Sequence, residues 1–284
     1  MRASPIVFLI DNGSLRAEAT LALRNLAKVL SARIGVDVEP VSLLHSNKIP
    51  TSELEGKKAQ TVRSTLRRFI ETGERTFIFL PLFLGPSLAI TDYLPKLIAE
   101  ARQLAPDVEV TVATTLAGND VNSPDLRLAE MLVAHVRQLL ENTAASHSRI
   151  AVIDHGTPVQ PVNQLRNAVT GQVAQLMKHE VDAVVACSME RRQGPEYAFN
   201  EPLLENLDQM ESWRGSDLVV AMFFLLPGRH AGEGGDVAQI CDDLIKRAAF
   251  RSIRKTALLG EHPLLTDILT DRFKAALSPT MRLT

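Results

Sequence analysis

The sequence is short of the features that announce the commoner chemistries. Among 284 residues there are 2 cysteines, Cys187 and Cys241. Both stand in apolar surroundings, so no disulfide framework or zinc ribbon is available and a reducing compartment is expected. A net charge of −2 excludes a globally basic protein that coats nucleic acid, although a local basic patch for an anionic small molecule stays open. No apolar run approaches the roughly 20 residues that span a bilayer. Met1 to Pro5 runs straight into a strand pattern, without the charged, apolar and small-residue sections of a signal peptide. These absences predict a cytoplasmic protein with neither a nucleic-acid nor a membrane partner. Gly-x-x-x-x-Gly-Lys-(Ser/Thr) is missing, and with it a P-loop and evident ATP use. The glycines at 232–235 do not make Gly-x-Gly-x-x-Gly, and there is no Gly-x-Ser-x-Gly elbow.

What is present is a repetition. Residues 6–14 read Ile-Val-Phe-Leu-Ile-Asp-Asn-Gly-Ser, and residues 150–157 read Ile-Ala-Val-Ile-Asp-His-Gly-Thr. Residues 77–86 (Phe-Ile-Phe-Leu-Pro-Leu-Phe-Leu-Gly-Pro) are echoed by 218–227 (Leu-Val-Val-Ala-Met-Phe-Phe-Leu-Leu-Pro). His155 lies 143 residues after Asn12, and His230 lies 141 after Ala89. The register therefore survives across half the chain, and only the second copy has histidines at these two places. The repeat predicts two domains, 1–143 and 149–284, with a polar linker over 141–148 and one active site, in the second half.

Short apolar runs alternate with amphipathic segments in both halves. Strands are predicted at 6–10, 36–42, 76–80 and 108–114, then at 150–153, 183–187, 218–222 and 256–259. Helices are predicted at 16–34, 62–70, 93–102 and 126–140, then at 162–177, 203–210, 237–249 and 263–277. This alternation gives βαβ units and parallel sheets with helices on both faces. Right-handed crossovers bring the C-terminal strand ends to one edge, where such sheets bind ligands. The loops 189–200 and 228–236 are longer than their first-half partners, as ligand-edge loops often are.

His155 and His230 each follow a buried strand, so both point to that edge. Converging neutral imidazoles make either a site for a borderline-soft metal or a pair of general bases. Glu190, at the end of the next strand, is the natural carboxylate partner. Arg191, Arg192 and Arg229 flank the three, and planar guanidinium forks suit carboxylate recognition.

At these residues the chain resembles the class II tetrapyrrole chelatases, in their sirohydrochlorin chelatase branch. The matching segments are Asp154-His155-Gly156-Thr157, the strand from Phe223 to Pro227 leading to Gly228-Arg229-His230, and Leu259-Gly260-Glu261-His262-Pro263-Leu264-Leu265. The first half matches the scaffold in Pro81-Leu82-Phe83-Leu84 and Asp92-Tyr93-Leu94-Pro95. The resemblance covers almost the whole chain. It departs at Asn12 and Ala89, where histidines are expected, in the longer path from His230 to Asp236, and in the extended loop after Glu190.

The resemblance implies a fused form with two tandem chelatase-like domains facing across a cleft, the first with a degenerate site. It implies ATP-independent insertion of Co2+ or Fe2+ into sirohydrochlorin or a related reduced tetrapyrrole. His155, His230 and Glu190 would hold the metal or take up pyrrole protons, and Arg191, Arg192 and Arg229 would grip the macrocycle's carboxylates. No cofactor is implied beyond the metal substrate, and a monomer is expected because the halves pair internally. The aromatic share of 5% suits a polar macrocycle better than protoporphyrin. The alternative is a carrier of metal or tetrapyrrole with the same fold and no turnover. Glu233 and Asp236 compete with Glu190 for the role of assisting acid.

Overall fold

The computed structural model describes residues 4–141 and 148–278, so the linker expected at 141–148 falls almost wholly outside the described residues. Strands β1 (Ile6–Asp11), β2 (Val38–Ser42), β3 (Thr76–Pro81) and β4 (Glu109–Val112) form one sheet, in the order β2-β1-β3-β4. Strands β5 (Ser148–Asp154), β6 (Ala183–Ser188), β7 (Asp217–Met222) and β8 (Ser252–Lys255) form a second, in the order β6-β5-β7-β8. Every strand pairing is parallel. The duplicated α/β fold expected from the repeat is the fold observed.

Consecutive residues, rather than alternate ones, are buried in the central strands. Val7, Phe8, Leu9 and Ile10 of β1 and Ile150, Ala151, Val152 and Ile153 of β5 are all fully buried. That is the mark of a strand covered on both faces. In the first sheet, Phe8, Ile10, Phe77 and Phe79 pack with Val62, Leu66 and Ile70 of α2 (Val62–Glu71) and with Leu94 and Leu97 of α3 (Leu94–Leu104). Each such fully buried apolar side chain contributes about 1.5–3 kcal/mol. Helix α1 (Ala17–Ile34) covers the other face and also touches β2. In the second sheet, α5 (Gln160–Leu176) and α6 (Asp236–Lys246) take the corresponding places.

The remaining helices do not stay with the half that encodes them. Helix α4 (Arg127–Leu140) packs on α5 and β7, and Arg137 holds Glu180 through Nη2 at 2.6 Å. Helix α7 (Pro263–Leu277) packs on α1 and β3, and its Arg272 donates to the carbonyls of Thr115 and Leu116. The compact units are therefore 1–119 with 263–284, and 120–262. The expected ranges 1–143 and 149–284 follow the sequence repeat, whereas α4 and α7 each belong to the other compact unit.

Two sequence expectations need correction in the second half. The fourth strand is Ser252–Lys255, not 256–259. Thr256 ends the ladder, because its Oγ1 accepts the N–H of Met222 at 2.9 Å. The strand has a single apolar residue, Ile253, which an apolar-run criterion passes over. The helix expected at 203–210 is a 3-10 segment, Leu204–Gln209, preceded by another at Pro195–Asn200. The carboxylate of Asp208 is drawn inward onto Arg214 (3.2 Å) and Arg247 (2.8 Å), which a regular helix with an outward Asp would not allow.

The chain leaves β1 toward β2 on one side and reaches β3 on the other, and the same holds for β5 between β6 and β7. The gap between those diverging connections is the topological switch point of each sheet. In the second unit, His155 follows β5 and His230 follows β7, so both stand at that point.

Candidate functional site

The site grows from the end of β5. Asp154, its last residue, is buried. Its Oδ1 accepts from the Gly156 N–H (3.1 Å), the Ser188 hydroxyl (2.9 Å) and Nη1 of Arg166 (3.3 Å). These bonds bend the chain sharply at His155. Gly156 has φ +92°, and a Cβ there would lie 1.9 Å from the Glu190 carbonyl oxygen. Only glycine permits both the conformation and the approach. The close approach lets the Glu190 N–H donate to the His155 carbonyl at 3.2 Å, after Met189 has donated to Asp154 at 2.8 Å. These backbone bonds bring Glu190 beside His155.

The imidazoles are oriented by what their Nδ1 atoms touch. Nδ1 of His155 is 3.0 Å from the Gly156 carbonyl, which can only accept, so Nδ1 carries the proton. Its Nε2 then presents a lone pair, 3.2 Å from Oε1 of Glu190. Two acceptors at that distance call for a proton or a cation between them. His230 sits in the loop after β7, and its Nδ1 is 2.6 Å from Oδ2 of Asp236, the first residue of α6. A carboxylate on Nδ1 fixes the ring and leaves Nε2 for a ligand, as in carboxylate–histidine–metal arrangements. The two ring centroids are 4.4 Å apart with planes at 51°. The group is open to solvent: side-chain exposure is 45% for His155, 61% for Glu190 and 34% for His230. Among the described residues, no three His, Cys, Asp or Glu side chains form a ready-made metal cage.

The CbiX family model matches this sequence twice, at residues 6–139 and 149–276. The chain belongs to the CbiX family. Three solved structures share its fold over nearly their whole length. SirB from Bacillus subtilis with Fe3+ is 14% identical, with a TM-score of 0.70 over 98% of this chain and 97% of that one. The sirohydrochlorin chelatase SirB from Bacillus subtilis subspecies spizizenii, in complex with cobalt, is 11% identical, with a TM-score of 0.64 over 96% and 95%. CbiX, described as the terminal enzyme for siroheme biosynthesis in denitrifying bacteria, is 16% identical, with a TM-score of 0.60 over 96% and 100%. No curated relative matches the sequence. At these identities the likeness speaks for the fold: tandem CbiX-like, chelatase-type α/β domains.

Within this CbiX-family chain the sequence-predicted residues fare differently. His155, His230 and Glu190 come together in one unit. Of the three arginines, Arg191 is committed to its own loop, with Nε on Glu201 (2.7 Å) and Nη1 on the carbonyls of Arg192 and Gly194 (both 3.1 Å). Arg192 lies over the Tyr197 ring at 5.9 Å, and Arg229 is 78% exposed with Nε 3.7 Å from Asp236. Both of the last two are exposed residues. Of the rival acids, Asp236 is the partner of His230 through Nδ1, which separates its place from that of Glu190.

Several residues escaped sequence reasoning. Arg166 is the largest fully buried side chain and reaches Ser188 (2.6 Å) as well as Asp154. Asn200, also fully buried, accepts the Thr157 N–H (3.0 Å) and donates to the Thr157 carbonyl (2.9 Å). A long loop that returns to clamp Thr157 explains why 189–200 is extended. Nothing in the sequence marks Arg166, because the buried face of α5 also carries Asn163 and Thr170.

The first unit repeats the backbone without the chemistry. Gly13 has φ +90°, with a Cβ position 1.8 Å from the Leu44 carbonyl oxygen, and Leu44 N–H donates to the Asn12 carbonyl at 3.1 Å. Leu44 thus stands where Glu190 stands, beside Asn12 in place of His155, with Ala89 in place of His230. Asp11 corresponds to Asp154, but its Oδ1 is buried without a partner, and burial pushes its carboxyl up to about 6.

Proposed function

We propose that the protein inserts a divalent metal, Co2+ or Fe2+, into sirohydrochlorin or a related reduced tetrapyrrole, without nucleotide hydrolysis. The observation that carries this reading is the pair of imidazoles with centroids 4.4 Å apart, their Nδ1 atoms bonded away and Oε1 of Glu190 3.2 Å from one Nε2. Imidazole nitrogen and carboxylate oxygen suit both metals. Only three donors are offered, so the remaining coordination positions face solvent and the incoming macrocycle. Insertion releases two pyrrole protons for each metal that enters. Nε2 of His155 and the Glu190 carboxylate are acceptors suited to take them. Arg192 and Arg229 are the guanidinium groups for the macrocycle's carboxylates, and Arg191 shapes the loop that carries Arg192. The whole first half supports the fold and no longer handles metal.

The test is anaerobic incubation of the protein with sirohydrochlorin and either Co2+ or Fe2+, following visible absorbance. A metal-dependent spectral change, faster than the uncatalysed one, is expected. Metal binding with no spectral change would leave a carrier in place of an enzyme.

A further inference from the structure

We infer that Arg166 is a positioning residue whose buried guanidinium ties together the two strand ends that carry His155 and Glu190. The inference rests on the reading of those two side chains as metal-handling groups. Arg166 lies on α5, beneath the site, and is 1% exposed. Its Nη1 bonds Ser188 Oγ at 2.6 Å and Asp154 Oδ1 at 3.3 Å, and Ser188 itself bonds Asp154 at 2.9 Å. Asp154 is the last residue of β5 and Ser188 the last of β6. His155 is the next residue after the first, and Glu190 is two beyond the second. One guanidinium therefore cross-links the side chains at the foot of both functional arms.

The other side of the same guanidinium is fixed as well. Nε and Nη2 both donate to Oδ1 of Asn167, at 3.1 and 2.9 Å, and Asn167 donates to Asn163 at 3.1 Å. The planar fork is thus held along two edges, which a flexible ammonium could not imitate. Sub-ångström placement of ligands by such outer residues governs how well a metal is held.

The first unit supplies an internal comparison. At the repeat offset of 143 residues, Arg166 corresponds to Leu23, which lines one small cavity together with Ser42. Asp11 and Ser42 are kept there, and so is the backbone crossing at Gly13 and Leu44. The turn therefore forms without an arginine. What goes with the arginine is the ligand set, since Asn12 and Leu44 hold nothing that needs aiming. Backbone shape belongs to both copies, whereas the cross-link belongs to the copy with His155 and Glu190.

The experiment uses the full chain and Co2+ alone, with the visible absorption of bound Co2+ as the readout, and insertion kinetics beside it. Arg166→Leu, which installs the residue of the first unit, is expected to fold, to bind Co2+ about 10–100-fold more weakly with a shifted band, and to lose kcat by a similar factor. KM for the tetrapyrrole should hold, because no macrocycle group is removed. Arg166→Lys should regain thermal stability yet keep the altered Co2+ band, since a point charge cannot grip Asp154, Ser188 and Asn167 together. Wild-type Co2+ affinity and band in a folded Arg166→Leu protein would overturn the inference. If that variant fails to fold, Ser188→Ala takes its place, cutting the cross-link while leaving the ion pair. A several-fold loss of Co2+ affinity supports the inference and an unchanged band overturns it. A wild-type protein that binds Co2+ but never alters a tetrapyrrole spectrum refutes insertion, while the Co2+ arm still decides the role of Arg166.

Discussion

Replacing Asp11 with asparagine should change how stability depends on pH, and the structure sets the size of the effect. The Asp11 carboxyl is buried with Oδ1 unpartnered, and its pKa is pushed from the ordinary 3.8 to about 6, chiefly by burial. The folded protein therefore holds this proton more tightly than the unfolded chain does. Stability from the group is fully present below about 3.8 and is lost as pH rises through about 6. A shift of about two pKa units corresponds to about 3 kcal/mol. Asparagine keeps the shape and cannot ionise, so Asp11→Asn carries the same small cost of an unpartnered buried polar group at every pH.

The expected outcome is that the stability of Asp11→Asn relative to wild type rises by about 3 kcal/mol between pH 3 and pH 8. Urea unfolding followed by circular dichroism measures it. With a slope near 3 kcal/mol/M, the relative midpoint should move by about 1 M. Trp213 is the chain's one tryptophan and lies in the unit spanning 120–262. Its fluorescence reports that unit alone, so a shift seen by dichroism and absent from fluorescence assigns the effect to the unit containing Asp11. Parallel pH curves for the two proteins would refute the claim that Asp11 is buried in its charged form at neutral pH.

Three further outcomes follow from the site. His155→Ala or His230→Ala should abolish metal insertion while Asn12→Ala changes it only modestly; an active His155→Ala beside an inactive, folded Asn12→Ala would reverse the assignment of halves. Asp236→Asn should weaken Co2+ binding about 10–100-fold by loosening the His230 ring, with calorimetry as the check. Gly156→Ala should lower both thermal stability and Co2+ affinity, because its Cβ meets the Glu190 carbonyl, whereas Gly13→Ala, whose Cβ meets the Leu44 carbonyl, should lower stability and leave Co2+ affinity intact.

The fold was legible because its signals are local. Buried parallel strands announce themselves as continuous apolar runs, and the 143- and 141-residue offsets tie the copies together. The second copy's fourth strand was misplaced because Ser252-Ile253-Arg254-Lys255 earns its pairing from β7 and not from its own hydrophobicity. The exchange of α4 and α7 could not be seen in a repeat, since a repeat records descent of sequence and not which sheet a helix covers. His155 and Glu190 were visible as polar residues directly after apolar strands, and His230 as a histidine in the loop that follows one. Arg166 and Asn200 were not, because burial of a polar side chain is paid for by partners distant in sequence. Arg191 looked equivalent to Arg192 until Glu201, 10 residues on, was seen to hold it.

The arrangement of acceptors suggests why metal entry and proton loss can be coupled at one place. With Nδ1 of His155 bonded to the Gly156 carbonyl, Nε2 and Oε1 of Glu190 face each other as two electron-rich atoms 3.2 Å apart. A divalent cation between them relieves the repulsion, and so does a proton. On the proposed reading, transfer of the metal to the macrocycle removes the cation and restores the repulsion. On that reading the two atoms are again open as acceptors when the pyrrole protons must depart. His230 is set differently, with its Nδ1 held at 2.6 Å by Oδ2 of Asp236. On the proposed reading the two histidines are unequal: His230 is the ligand fixed by Asp236, and His155 with Glu190 is the pair that exchanges metal for proton.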